Sequence, residues 1–433
     1  MEKLYLGVFR EIITPPIGTR LYGYSPDVYS KSINDDLTVT AFYFKQGKSS
    51  ALLISVTVCE INTSLCDELR EKISSLTGVS KDNVMLCATH THSAPDVAGT
   101  EGWGSLDTQY RDNIFVPKIL SCVQKAVLSP KKVTAAFAHK DSYVGINRRQ
   151  LLANNMIDFG QNPWGYFNPK MTVVSFFDEN NDNVANIVHY GCHGTAAGCN
   201  TEITRDWSGI MTDALEEYSG GITAFVNGTM GDAGPRISNG KTTGDISYVK
   251  ELGLVAANDV VEVYKTMPAP CDVKLCASSK KISIPVKPRM DTKSAEEMYE
   301  FFKDKTSNVG AYTRSYLEKV MTLNKEGAQQ PESFETEQTT ISVGNVVFTG
   351  IPFEIFAQTG FRVAENFNDA TVLSVSNTNG FEGYFATQDA ICRGGYEVQM
   401  FLYSRPNQFC DNADFHLMKQ MVRTVKDTLG KEE

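Results

Sequence analysis

An α/β fold, with a mixed β-sheet core flanked by helices, is the architecture this 433-residue sequence predicts. Short runs rich in β-branched and aromatic residues alternate with helical patterns through the first 270 residues, the signature of strands covered by helices. Two such runs are joined by a polar turn that makes a hairpin, which rules out a purely parallel sheet. The segment 290–332 breaks the pattern with charged, helical sequence, after which the alternation resumes.

The elements follow in order. LTVTAFYFK (37–45) and SALLISVTV (50–58) read as strands. From 62 to 76 the apolar spacing becomes helical, and Gly78 stands where a left-handed C-cap belongs. NVMLCAT (83–89) is a strand, 108–128 a helix and 132–138 a strand. MTVVSFF (171–177) and VANIVHY (184–190) flank DENNDN, the hairpin turn. Residues 206–218 and 245–265 are helical around the strand ITAFVNG (222–228). After the insertion come a strand over 341–350, a helix from about Phe353 and the strand TVLSVS (371–376). No internal repeat interrupts the chain, so one domain over 1–433 is expected, with 290–332 as a helical insertion or lid.

Forty-one Lys+Arg against 51 Asp+Glu give a net charge of −10, which argues against the cationic surface of a nucleic-acid binder or a polybasic membrane anchor. No run of about 18 apolar residues is present to span a bilayer. The opening MEKLYLGVFREIITPP has no apolar stretch followed by a small-residue cleavage site, so a cytoplasmic location is the expectation. Ten cysteines include no CxxC pair; they read as small buried apolar residues rather than a disulfide framework or thiolate metal cluster.

Six histidines occur, and four fall in two short clusters. Thr89-His90-Thr91-His92-Ser93 follows a strand; in extended backbone, residues two apart share a side, so His90 and His92 would converge. His189-Tyr190-Gly191-Cys192-His193-Gly194-Thr195 closes another strand, with glycines that free the backbone to turn. A single histidine at a strand end is ordinarily a hydrogen-bonded structural residue. Two clusters at equivalent ends favour a site, and neutral imidazoles suit a hydrolytic metal ion with an open position for water. Asn227-Gly228-Thr229-Met230-Gly231-Asp232-Ala233-Gly234-Pro235 follows a third strand and reads as a substrate-contacting loop or an ordinary turn. Glu354, in Ile351-Pro352-Phe353-Glu354, is either a functional acid or a carboxylate at a helix N-terminus. The tyrosines of Asn379-Gly380-Phe381-Glu382-Gly383-Tyr384 and Gly394-Gly395-Tyr396-Glu397 are chemistry or packing. The residues alone thus point to a metal-dependent hydrolase.

Placed in order, these elements resemble the neutral/alkaline (non-lysosomal) ceramidase family. NVMLCATHTHSAP (83–95) resembles its N-V-x-x-x-x-T-H-T-H-S-G-P, the most specific match. GVFREIIT (7–14) resembles the opening G-x-G-x-A-D-I-T, Tyr22-Gly23-Tyr24 its M-G-Y, and Gly145–Arg149 its N-R-S segment. His193-Gly194-Thr195 resembles H-G-T-S, and Arg205-Asp206-Trp207-Ser208-Gly209 stands where the family has S-D-N-K-G. Pro352-Phe353-Glu354 with Gly360 and Arg362, Gly383–Thr387, and Tyr396-Glu397 complete the series.

The resemblance implies one catalytic zinc held by His90, His193, Glu354 and Tyr384, with His92 beside it as a polarising or proton-shuttling group. It implies that Arg148 and Tyr396 contact the amide oxygen or the oxyanion, in hydrolysis of an N-acyl bond: ceramide to sphingoid base and fatty acid in typical members. Zinc lowers the pKa of bound water to about 7 and polarises a carbonyl, which suits that reaction. The sequence also departs from the family. Gly234 stands in place of an essential serine, leaving Asp232 as a candidate base or orienting group. Arg236 replaces a neutral residue and would add positive charge for the substrate. The C-terminal β-sandwich of longer ceramidases is not expected. The expected partner is a small-molecule or lipid N-acyl substrate, with no nucleic acid. Two alternatives stand beside this reading: a zinc hydrolase of a soluble N-acyl or ester compound, and a catalytically inactive binding homologue that has lost the serine.

Overall fold

The computed structural model describes residues 2–24 and 26–431. Its central strand, Leu4–Ile12, has no counterpart in the sequence-based assignment; it pairs antiparallel with both Thr38–Gln46 and Lys131–Asp141. Around it lies an eight-stranded sheet in the order Ile222–Asn227, Asn183–Tyr190, Lys170–Phe177, Lys131–Asp141, Leu4–Ile12, Thr38–Gln46, Ser49–Val56, Val84–Ala88. The outermost pair at each edge is parallel and the inner pairs are antiparallel, so the sheet is mixed, as predicted. The hairpin at 171–190 is present, with its bulge at Asn183.

A second sheet of Leu275–Pro285, Ser333–Val343, Val346–Gly350 and Thr371–Val375 stacks on the first. Leu6, Phe44, Met85, Phe176, Phe348 and Leu373 share the apolar layer between them. Helices Thr63–Thr77 and Val116–Leu128 cover one half of the first sheet, and Trp207–Ser219 and Ile246–Lys265 cover the other. Ala357–Ala364 and Ala413–Leu429 cover the second sheet. The result is four layers, helix–sheet–sheet–helix.

Local signals account for most boundaries. Asn62 accepts from the Ser64 N–H and Gly78 closes the helix at φ 73°. The helical stretch 108–128 contains a π turn at Arg111–Phe115; Pro117, just beyond it, has no N–H for the carbonyl four residues back. Two expectations are corrected. The run 341–350 is two strands, because Gly344 at φ 65° reverses the chain between Val343 and Val346. The helix expected from Phe353 begins at Ala357, since Glu354–Ile355 pairs in parallel with Tyr384–Phe385, a partner distant in sequence.

Among the described residues no helix is long and apolar enough to cross a membrane. All ten cysteines are free; Cys59, Cys66, Cys87, Cys122 and Cys192 are buried. The 290–332 segment forms helices Thr292–Phe302 and Asn308–Lys325, packed on each other through Ala295, Leu317 and Val320.

Candidate metal centre

The site lies where the ends of strands meet. Asn227 Nδ2 donates to the carbonyls of Thr89 (2.9 Å) and Cys192 (3.0 Å), tying three chain segments together just beyond their strands. The Ser376 N–H bonds the Asn227 carbonyl at 3.1 Å and the Ala88 N–H that of Asn377 at 3.2 Å, which adds the second sheet. The loops carrying both histidine clusters touch through Thr91 and Gly194. A Cβ at Gly194 would stand 2.8 Å from the His90 carbonyl oxygen, so only glycine allows this approach.

His90 and His92 do converge, but by a different route from strand alternation. The strand ends at Ala88, and His90 sits at φ 69°, in the left-handed region. The turn, held by the His90 N–H on the Val58 carbonyl (2.9 Å), aims the rings. Strain of this kind persists where the surroundings over-determine it and often marks a functional site.

Each of the three imidazoles is held by Nδ1 against a backbone carbonyl: His90 on Cys59 (2.8 Å), His92 on Gly23 (3.1 Å), His193 on Met230 (2.8 Å) and Ala233 (3.1 Å). Beside His90 the Asn377 Oδ1 lacks a partner, and turning that amide end for end gives it the same Nδ1 proton. A proton on Nδ1 leaves each Nε2 as a lone pair. Those lone pairs face one another. His90 Nε2 is 3.2 Å from His92 Nε2, and Glu354 Oε2 is 3.0 Å from His193 Nε2 and 3.5 Å from His90 Nε2. Tyr384 Oη is 3.3 Å from His193 Nε2. Burial pushes all three imidazoles well below the usual histidine range, so they are neutral, and raises Glu354, whose Oε2 has no hydrogen-bond partner.

Five atoms with lone pairs therefore crowd a buried point, where burial favours a proton on Glu354 unless a cation takes its place. An unpaired buried carboxylate costs several kcal/mol, and a cation removes the cost by coordinating the lone pairs. His90, His193 and Glu354 satisfy the spacing of a metal-ligand group, with Tyr384 adjoining. Cys59, His90 and His92 form a second such group. Burial raises the Cys59 thiol well above its usual range, however, and His90 Nδ1 is already committed to a carbonyl, so the first group is the better set.

Arg148 stands beside this cluster. Its Nη2 donates to Tyr384 Oη at 2.9 Å and its Nε to Glu397 Oε1 at 2.8 Å. Glu397 Oε2 also accepts from Arg149 at 2.7 Å. Burial opposes the Arg148 charge, but Tyr384 and Glu397 outweigh it and raise its pKa. Sequence reasoning gave Glu397 no role, although Tyr396-Glu397 was a matched motif; only the fold shows one carboxylate spanning two arginines. Tyr396 packs its ring 4.9 Å from that of Phe159 and 5.7 Å from that of Tyr384.

The remaining predicted residues divide. Asp232 accepts from the Ala357 N–H (2.8 Å) and Asn147 Nδ2 (3.2 Å), and its carbonyl takes the Arg148 N–H (2.9 Å). It joins the backbones that carry Arg148 and Glu354, and burial raises its carboxyl to about 7. Gly234 is buried beside Thr242; a Cβ there would meet Thr242 Cβ at 2.8 Å and Arg148 Cβ at 3.4 Å. Arg236 is corrected: it is exposed and lines a separate surface cavity with Tyr143, Gln161 and Glu251, because the strand Ala233–Pro235 turns it outward. His189, from the second histidine cluster, bonds the Ser374 carbonyl through Nε2 at 2.8 Å and belongs to the packing between sheets.

Two cavities adjoin the cluster. The outer, about 530 Å³, is lined by His92, Arg148, Tyr384 and Tyr396, by the aromatic rings of Tyr24, Trp103 and Phe159, and by Ser307, Asn308 and Val309 of the 290–332 segment. That segment is anchored there by Asn308 Nδ2 on the Tyr24 carbonyl and by Tyr312 edge-on to Trp103 at 6.0 Å. The inner cavity, about 40 Å³, is lined by His90, His92, Glu354 and Tyr384 together with Glu60, Tyr22 and Thr100.

The sequence matches no family model and no curated protein. Solved structures do match. Neutral ceramidase from Pseudomonas aeruginosa superposes with a TM-score of 0.75 at 16% identity, over 100% of this chain and 76% of that one. A ceramidase complexed with C2 superposes with a TM-score of 0.72 at 16% identity, over 98% of this chain and 74% of that one. The chain is thereby identified by its fold, which along its whole described length is that of the neutral ceramidase structures.

Proposed function

We propose that this protein is a zinc-dependent hydrolase of an N-acyl bond, its metal held by His90, His193, Glu354 and Tyr384. The observation that carries the reading is the acceptor cluster: three Nε2 lone pairs, a carboxylate oxygen without a partner and a phenol oxygen gathered beside an aromatic-lined cavity. Two imidazoles, a carboxylate and a phenol suit zinc, although such a nitrogen–oxygen set does not select it strongly. The fold shared with ceramidase structures supports the reaction class. Zinc bound there would supply Lewis acidity for the scissile carbonyl and acidify a water molecule.

The protein groups divide the remaining work. His92, neutral and held by Gly23, lines the cavity with its Nε2 beside the candidate metal group; it takes the proton from the attacking water and returns it to the departing amine nitrogen. The Arg148 guanidinium, fixed by Glu397, and the Tyr396 hydroxyl line the same cavity and stabilise the negative charge that develops on the carbonyl oxygen. Trp103, Phe159 and the 290–332 helices exclude water and bind the apolar part of the substrate.

Metal content of the purified protein, measured alongside hydrolysis of a panel of N-acyl substrates that includes ceramide, tests the reading. One zinc per chain and amide cleavage lost on chelation are expected. A protein that holds no divalent ion and gains no activity when zinc is added would refute it and favour the binding homologue.

A further inference from the structure

Glu60 is a buried carboxylate that the proposed chemistry does not use. It is 4% exposed, and burial raises its carboxyl well above the usual range. The hydroxyls of Tyr22 and Thr100 (2.6 Å) both donate to one oxygen, Oε1, while Oε2 takes part in neither bond. Glu60 lines the inner cavity together with His90 and Glu354. Its neighbours in the lining include the apolar Trp103, Tyr312, Phe381 and Met400, and a donor on a bound molecule can reach lone pairs of Glu60 that the Tyr22 and Thr100 bonds do not use.

Size and charge limit what that is. At about 40 Å³ against about 530 Å³ for the outer cavity, the inner one suits a short fragment better than a long alkyl chain. An ammonium there would lie beside the cation that the histidine cluster is built to hold and be repelled by it. A neutral hydroxyl meets no such repulsion and joins the two already on Glu60. With the outer cavity, about 530 Å³, taking the long acyl part, the amine part is what enters the inner one.

We propose that Glu60 determines specificity by accepting a hydrogen bond from a hydroxyl on a short amine fragment, so that the preferred substrates are N-acyl derivatives of small amino alcohols. This rests on the hydrolase reading above and narrows it.

The test compares amides of one fatty acid with 2-aminoethanol and with propylamine, which differ by hydroxyl against methyl, in wild type, Glu60→Gln and Glu60→Met with zinc present. Wild type should favour the hydroxylated amide by tenfold or more in kcat/KM, since a site built around a hydroxyl rejects the analogue lacking it. Glu60→Gln, which keeps an acceptor oxygen, should retain part of the preference, and Glu60→Met should abolish it. Equal kcat/KM for the two amides in wild type, an unchanged preference in Glu60→Met, or faster turnover of a long-chain ceramide than of the short amide overturns the proposal. Binding of N-(2-hydroxyethyl)acetamide and N-propylacetamide, measured by calorimetry, decides the matter without turnover. If no amide is cleaved but Glu60→Met selectively weakens the hydroxylated ligand, the hydrolase reading falls and Glu60 stands. If binding is unaffected, the Glu60 proposal falls whatever the activity.

Discussion

His193 Nε2 lies 3.0 Å from Glu354 Oε2, an oxygen with no hydrogen-bond partner, while the His193 proton is held on Nδ1 by the Met230 carbonyl. Two buried acceptors at that distance repel unless a proton or a metal cation lies between them, and burial favours the proton on Glu354 when no cation is bound. The pair belongs to the candidate metal-ligand group of His90, His193 and Glu354.

His193→Ala should therefore remove both the metal and the activity. Wild type should gain thermal stability on zinc addition, by about 2.7 kcal/mol at a hundredfold excess over Kd, and the variant should gain none. His139→Ala, on the strand Lys131–Asp141 and outside the cluster, should respond to zinc as wild type does. Melting curves with and without zinc check both.

Glu397 is the shared partner of two buried arginines. Removing one member of such a buried ionic group leaves charge uncompensated, at a cost of about 3–5 kcal/mol. Glu397→Leu should lower the unfolding free energy by that amount, read in urea as a lower midpoint, and reduce kcat through displacement of Arg148.

Asp232 sets a pH dependence. In the folded chain its carboxyl titrates at about 7, against about 3.9 when unfolded, so the native state holds its proton more tightly. The stability it contributes is complete below about pH 4 and is lost as pH rises through about 7. Asp232→Asn should remove that fall; denaturation curves at pH 5 and pH 8 measure it as a smaller difference between the two pH values than in wild type.

Gly234→Ala places a Cβ 2.8 Å from Thr242 Cβ and should destabilise by about 1–3 kcal/mol. Thr242→Ala does not remove the clashing Cβ but frees its branches to shift, so the double variant should recover part of the loss. A double-mutant cycle by denaturant unfolding reads the coupling; strictly additive losses would show that the two positions do not meet.

Arg236→Ala should leave kcat/KM within about twofold of wild type, as an exposed position away from the site. Arg148→Ala, at the cavity beside Tyr384, should cost about a hundredfold or more. Initial rates on one N-acyl substrate separate them.

The sequence by itself determined which segments become strands and helices wherever apolar periodicity and caps were strong, as at 62–78 and in the 171–190 hairpin, because those signals act within a few residues. It also marked the two histidine motifs, which stand out by residue type at the ends of apolar runs, whereas Glu354 and Tyr384 stand out through the family resemblance and not by residue type. What the tertiary structure alone decided was contact between distant segments. The pairing of Glu354 with Tyr384, which shortened the helix expected at Phe353, depends on a strand 30 residues away. So do the second sheet stacked on the first, the outward turn of Arg236, the bridge from Glu397 to Arg148 and Arg149, and the place of Glu60 in the inner cavity. Local propensity carries no information about which remote surface a side chain will meet; that follows from burying the apolar faces of both sheets together, and the site's geometry comes with it.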